Sequence, residues 1–210
     1  MPRSVENPNV TDRLRTDILS GEFAPGVRLI ELQLTERYQV GRAPIRAAII
    51  ELDKEGLVIR EANRGASVRS LSLGEAIEVY EVRAPLEGLM ARHAARNASA
   101  GESEALRSLI PEMREAVEQD VTTTFPELGR ALHDQISRIG NHRTALELID
   151  TLRNQSRHHP DRLTSVPGRP QQSLAEHIAI VEAIANGQPD EAERAARQHI
   201  ESIITTLVDA

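Results

Sequence analysis

Apolar positions along the first seventy residues recur at helical spacing in three short stretches and then switch to alternation. Val10, Leu14, Ile18 and Leu19 share one face of a helix over Val10–Ser20, which Gly21 ends in the left-handed conformation. The segment EFAPGVRL turns at Pro25-Gly26, and Leu32 to Tyr38 has room for two further helical turns. After Val40-Gly41 the stretch VGRAPIRAAIIELDKEGLV sets Ile45, Ala48, Ile49 and Leu52 on one side. Helix, short helix, tight turn and longer helix is the order of a helix-turn-helix. Beyond Glu55-Gly56, Leu57 and Ile59 alternate with Val58 and Arg60, the chain turns at Asn63-Arg64-Gly65, and Ala66 to Val68 returns. This predicts a two-stranded hairpin, a wing.

Ser70 to Leu73 reads as a connection, and from there the period stays helical to the end. Leu73–Asn97 carries Ile77, Tyr80, Leu86, Leu89 and Met90, with Pro85 expected to kink it or to remove one backbone bond. Ser99 and Glu102 form a capping box for a helix to about Gln119, and Thr124 and Glu127 form another for a helix that Gly140 closes. Asn141 is placed to cap a helix running to His159, where Pro160 stops it, and PDRLTSVPGRPQQ reads as loop. Ser173 and Glu176 predict the start of a helix to about Ala185, and Gln188-Pro189 opens the last. The expectation is mainly α: a winged helix-turn-helix over residues 1–70 and an all-helical bundle over residues 73–210.

Composition narrows the chemistry. With 210 residues and no cysteine, the chain can bury sizeable cores but cannot build a disulfide, a zinc-thiolate site or a thiol nucleophile. Apolar runs are too short for a membrane span or a secretory leader, which points to the cytoplasm. The net charge of −7 hides an asymmetry, since residues 1–72 carry +1 and the remainder −8. Contact with nucleic acid is therefore expected to be local and confined to the first third. Two Phe, two Tyr and no Trp disfavour stacking on single strands.

Two clusters carry candidate chemistry. Arg42 and Arg46, four apart, share one flank of the third helix near its N-terminus, where Pro44 fits the first turn and free amides face outward. That is how a recognition helix enters a major groove, although an arginine pair on a helix is also an ordinary solvated face. In the second cluster, His177 keeps helical step with Leu174, Ile178 and Val181, His199 with Ala196, Ile200 and Ile203, and His133 flanks Leu132 and Ile136. Three imidazoles converging in a bundle suit zinc, nickel or a similar divalent metal; the plainer reading is three buried, hydrogen-bonded histidines. His93, His142, His158 and His159 share no such placement.

Residues 10–70 resemble the winged-helix domain of the GntR family of bacterial transcription regulators. The likeness rests on Leu19, Gly21, Pro25-Gly26, Leu29, Glu31, Leu34, Val40, Arg42, Pro44, Arg46, Leu52, Glu55-Gly56-Leu57 and Arg64-Gly65. It implies that the tip formed by Gly41, Arg42, Ala43 and Arg46 meets phosphates or guanine edges, and that Arg64 and Gly65 reach a minor groove. Gly41 stands where a Ser or Thr is usual, and Ala47 where a Glu is usual.

Residues 73–208 resemble the FCD effector domain of the FadR subfamily, through YEVRAPLEGLMARHAA, LHDQISRIGNHRTALELI, LAEHIAIVEAIANGQPDEA and RQHI. The resemblance implies a metal held by an Asp and three His; His133, His177 and His199 fall on the histidine positions, and Gly129 on that of the Asp. Arg83 matches an arginine that points into the effector pocket, where a small carboxylate would pair with it; Glu87, four residues on, is the alternative partner. Asn141 matches the family's Gly-Asn, and Arg153 and Arg157 are further pocket candidates. The function implied is a homodimeric regulator, most simply a repressor, that reads a palindromic double-stranded operator and responds to a small organic acid. The alternative, a metal-dependent enzyme on His133, His177 and His199, lacks HExxH and a general base at diagnostic spacing.

Overall fold

A computed structural model describes residues 9–61, 64–119, 124–156 and 166–209. The chain divides into two compact units, Met1–Leu71 with Thr151–His158, and Ser72–Asp150 with His159–Ala210.

In the first unit, α1 (Val10–Leu19), α2 (Glu31–Tyr38) and α3 (Arg42–Lys54) precede a hairpin of β1 (Val58–Glu61) and β2 (Gly65–Val68). The amphipathic faces read from the sequence form one core, in which Leu14, Ile18, Ile45, Ala48 and Leu52 are fully buried. The wing pairs antiparallel with Val58 opposite Val68 and Glu61 opposite Gly65. Gly65 has φ +88°, which a side chain would strain, and Arg64 N–H bonds Glu61 O at 3.1 Å to close the turn. Asn63, assigned to that turn, lies outside the described residues. The segment after Pro25-Gly26 adds to the free edge of β2: Gly26 N–H reaches Val68 O at 3.0 Å and Leu29 N–H reaches Ala66 O at 2.9 Å. These bonds tie the base of the wing to the start of α2.

The second unit is helical throughout its described residues: α4 (Leu73–Asn97), α5 (Ala100–Glu118), α6 (Thr124–Gly140), α7 (Arg143–Gln155), α8 (Arg169–Ala185) and α9 (Pro189–Asp209). Residues Thr151–Gln155 of α7 group with the first unit. Capping boxes at Ser72 with Glu75 and Ser99 with Glu102 open α4 and α5. Ser72, read as connection, is thus the N-cap of α4, and α4 continues through Pro85 as one helix. Small residues let the helices approach closely. A Cβ on Gly140 would stand 2.7 Å from Met90 O, and one on Gly88 would stand 2.6 Å from Arg197 Cγ. Leu106, Met113, Leu132, Ile180 and Ile184 fill the core between α5, α6 and α8.

Two local expectations are corrected. Asn141 ends α6 in the left-handed conformation at φ 50°, and it is His142 that caps α7, its Nδ1 accepting from Ala145 N–H at 3.2 Å. The stretch expected to carry that helix on to His159 lies outside the described residues beyond Ser156. Ser173 does not open α8. The helix starts one turn earlier at Arg169, with Gly168 at φ +82° before it and Pro170 in its first turn, so Ser173 is buried inside it. The capping-box spacing misleads because the Glu176 side chain bonds across the bundle to His199 and Ser202 instead of returning to the Ser173 backbone. His93 and His142, outside the cluster of the other three, meet each other ring edge to ring face at 5.3 Å.

Candidate metal centre and nucleic-acid interface

The second unit brings His133 on α6, His177 on α8 and His199 on α9 together, with one ring nitrogen from each lying within 4.8 Å of the others. His177 and His199 are 3% exposed, and the ring centroids stand 4.5–5.2 Å apart. His133 Nε2 and His177 Nε2 approach to 3.2 Å.

Two of the three rings are held from behind by an ionic chain. His133 Nδ1 meets Glu87 Oε2 at 3.1 Å, and Glu87 Oε1 accepts from Arg83 Nε at 3.0 Å and Nη2 at 2.7 Å. His199 Nδ1 meets Glu176 Oε2 at 2.7 Å, and the same oxygen accepts from Arg169 Nη1 at 3.1 Å. Ser202 Oγ donates to Glu176 Oε1 at 2.7 Å and accepts from Arg169 Nη2 at 3.0 Å. A carboxylate on Nδ1 fixes the tautomer with the proton there, which aims the Nε2 lone pair inward. Both arginines are nearly enclosed, Arg83 against the face of Tyr80 at 4.8 Å and Arg169 at 5% exposure. Arg83 thus has the Glu87 partner that its spacing allowed.

Burial, with His199 and His133 close by, holds the His177 imidazole well below its ordinary pKa. Burial lowers His199 too, against the pull of Glu176. Burial pushes the Glu176 carboxyl up, but the bonds from His199 and Ser202, with the Arg169 charge, outweigh it and keep it below the usual range. These directions favour neutral His177 and His199 imidazoles beside an ionised Glu176 carboxylate.

These residues fit a divalent ion. Two nitrogens bound to one ion at about 2.0–2.1 Å stand roughly 3.0–3.4 Å apart, which brackets the His133–His177 separation. His177 Nδ1 is buried with no hydrogen-bond partner among the described residues, a cost the fold bears while Nε2 faces the other rings. The carboxylates Glu87 and Glu176 occupy the outer nitrogens of His133 and His199, so the inner set consists of imidazole nitrogens alone. Gly129 is buried one turn before His133, and a Cβ there would sit 3.5 Å from His177 Cε1 in ordinary contact. The position matched to an Asp thus faces the cluster, while Glu127 is exposed.

Asn141 is exposed, two helical turns beyond His133. Arg153 groups with the first unit, and Arg157 lies outside the described residues. Glu176, Arg169 and Ser202 were missed as site residues, and Glu87 was read only as a partner of Arg83, not of His133. Their one trace in the sequence is placement at whole-turn spacing from Arg83, Arg169 or His199.

In the first unit, Gly41 precedes α3 in extended conformation without a side-chain cap, and Arg42, Ala43 and Arg46 are exposed at the helix tip. Arg46 Nε lies 2.9 Å from both oxygens of Glu31, the first residue of α2. At the wing tip Arg64 is exposed, 3.4 Å from Glu61.

The family pattern described as FCD domain matches residues 78–202, and that of bacterial regulatory proteins of the gntR family matches residues 7–68. The chain is 28% identical over 206 residues to the HTH-type transcriptional repressor RspR of Escherichia coli K12, covering 96% of this chain and 89% of that one. It is 28% identical over 192 residues to the HTH-type transcriptional regulator YdhC of Bacillus subtilis 168, covering 90% and 83%. Among solved structures, E. coli McbR/YncC superposes with a TM-score of 0.77 at 17% identity over 95% of each chain. A GntR regulator from Rhodococcus sp. RHA1 gives 0.72 at 20% identity over 96% of each. At these identities the superpositions speak for the fold.

Proposed function

Since the chain belongs to the GntR family of bacterial transcription regulators and carries an FCD domain, we propose that it is a homodimeric repressor of the FadR subfamily, released from its operator by a small organic acid. Both matched domains are regulatory rather than catalytic, which leaves the enzyme reading without support. We assign operator reading to residues 1–70 and effector reception to residues 73–210. In the first, Gly41, Arg42, Ala43 and Arg46 meet the major groove and Arg64 and Gly65 the minor groove, once in each half of a palindrome.

The observation that carries the effector half is the convergence of His133, His177 and His199, two of them backed by a carboxylate and an arginine. These histidines would hold zinc or nickel, which supplies a Lewis-acidic anchor for a carboxylate. Charge favours an acid as the effector. Arg83 with Glu87 and Arg169 with Glu176 cancel, and imidazoles bind a metal as neutral ligands, so a divalent ion brings positive charge that nothing in the inner set offsets. Gly129 places no side chain beside His177, so the position matched to an Asp offers no anionic ligand of its own. Arg83 and Asn141 are the further effector contacts assigned. To release DNA, the acid has to bind the arrangement that cannot dock more tightly than the one that can.

The test is a thermal-shift screen of organic acids against the chelated, zinc-loaded and nickel-loaded protein. A ligand of the folded state raises the melting temperature by mass action. The expected result is stabilisation by metal and a further rise with one class of acid only when metal is present. An acid that so stabilises and yet leaves the affinity for a selected duplex unchanged would refute its role as effector.

A further inference from the structure

Arg42 and Arg46 differ in a way that their spacing hides. Arg46 gives its Nε–H to Glu31, 2.9 Å from each carboxylate oxygen, and its Nη1 and Nη2 donate to nothing among the described residues. Arg42 has no hydrogen-bonding partner among the described residues and feels Glu31 only through space. Glu31 is the first residue of α2, behind an N-cap that offers no side chain, so free amides and the positive end of the helix favour its charge. The bond from Arg46 keeps its carboxyl below the usual range, with the Arg46 and Arg42 charges adding to it against a little burial.

This arrangement orients one guanidinium and spares its fork. Held through Nε, Arg46 presents Nη1 and Nη2 as a parallel pair of donors, the pattern that fits O6 and N7 of guanine. Charge selects in the same direction. A phosphate on that fork would bring a full negative charge close to Glu31, whereas a guanine edge brings only partial charges. Arg42, with no carboxylate bonded to it, suits the phosphate.

We propose that Glu31 sets the specificity of the α3 tip by committing Arg46 to a guanine edge and leaving the phosphate backbone to Arg42. This rests on the reading that the tip meets DNA, and the experiment separates the two. Duplexes selected from a random-sequence library by the full-length protein serve as probe, in fluorescence anisotropy across a range of salt. Glu31→Ala and Glu31→Gln are expected to reduce the preference for the selected guanine about tenfold. Both should also tighten binding to a scrambled duplex and steepen the salt dependence by close to one phosphate. 7-Deazaguanine at that position, which lacks the N7 acceptor, should cost the wild type affinity and the Glu31→Ala protein little. Arg46→Lys, which has no fork, should make the preference insensitive to Glu31.

Unchanged preference and salt slope in Glu31→Ala, in a protein whose melting temperature matches the wild type, would overturn the role of Glu31. So would an equal loss of affinity on every duplex. If Arg46→Ala abolishes the preference while Glu31→Ala keeps it, Glu31 alone is misassigned; if Arg46→Ala keeps it, the DNA-facing reading of the tip fails as well.

Discussion

Glu176 Oε2 lies 2.7 Å from His199 Nδ1 and 3.1 Å from Arg169 Nη1, so one carboxylate orients a ring of the histidine cluster and neutralises a buried guanidinium. Glu176→Gln keeps the size and an acceptor but removes the charge. The 5%-exposed Arg169 is then left without its counterion, a loss worth about 3–5 kcal/mol where a buried pair is broken. The expected outcome is a lowered urea midpoint in the chelated protein. Zinc affinity, measured by competition with a chromophoric chelator, should fall about 10–100-fold, as for other carboxylates behind a ligating histidine.

Burial holds His177 well below its ordinary pKa and lowers His199 in the same direction. In the metal-free protein both gain protons more readily on unfolding, so the unfolded chain binds more protons between the folded values and about 6.5. The stabilisation is complete above the unfolded value and is lost as pH falls toward the folded ones, by about 1.4 kcal/mol per pH unit for each proton. Urea titrations of chelated protein from pH 7.5 to 5 should show this decline. His177→Gln should flatten the slope by close to one proton.

Much of this was legible because local rules agreed with the fold. α4 spans the expected Leu73–Asn97, and the α3 face of Ile45, Ala48, Ile49 and Leu52 is buried as its spacing requires. The three histidines converge because each keeps step with apolar neighbours on its own helix. What the sequence hid depends on contacts between helices. Glu176 follows Ser173 at capping-box spacing, and only the approach of α9 turns its side chain to His199. Likewise Glu87 satisfies Arg83 within α4, and its second oxygen finds His133 only through the packing of α6 on α4. Glu31 and Arg46 both match the family pattern, yet their pairing needs the turn between α2 and α3 to be closed.

Gly129 offers a gain-of-function test of the cluster. A Cβ there meets His177 Cε1 at 3.5 Å, ordinary contact, so a longer side chain can enter without displacing backbone. Gly129→Asp adds an anionic ligand to three neutral ones and is expected to tighten zinc binding tenfold or more, about 1.4 kcal/mol, while weakening the dependence on added acid. Gly129→Ala is the control. It should gain up to about 1 kcal/mol of helix propensity and leave metal affinity unchanged.

Close packing at the end of α6 makes the opposite prediction for another glycine. A methyl group on Gly140 would stand 2.7 Å from Met90 O, a backbone atom of α4 that cannot swing aside as a side-chain tip can. Gly140→Ala is expected to destabilise the helical unit by about 1–3 kcal/mol, despite alanine's better helix propensity. A lower urea midpoint than wild type, with the far-ultraviolet spectrum unchanged, is the measurement.

Arg42 and Arg46 sit at the same helix tip, but the hydrogen bonds around them predict different losses on truncation. Arg46→Ala removes an oriented fork and should cost about 1–3 kcal/mol of discrimination at one base pair. That loss appears when the selected duplex is compared with its single substitutions, and binding to unrelated sequence should scarcely change, because Glu31 already offsets the Arg46 charge. Arg42→Ala should instead weaken every duplex alike and reduce the salt slope by about one. Anisotropy titrations at four or more salt concentrations distinguish these patterns. Identical losses from both substitutions on all sequences would mean that the two arginines act as interchangeable charges, which the one-sided pairing with Glu31 argues against.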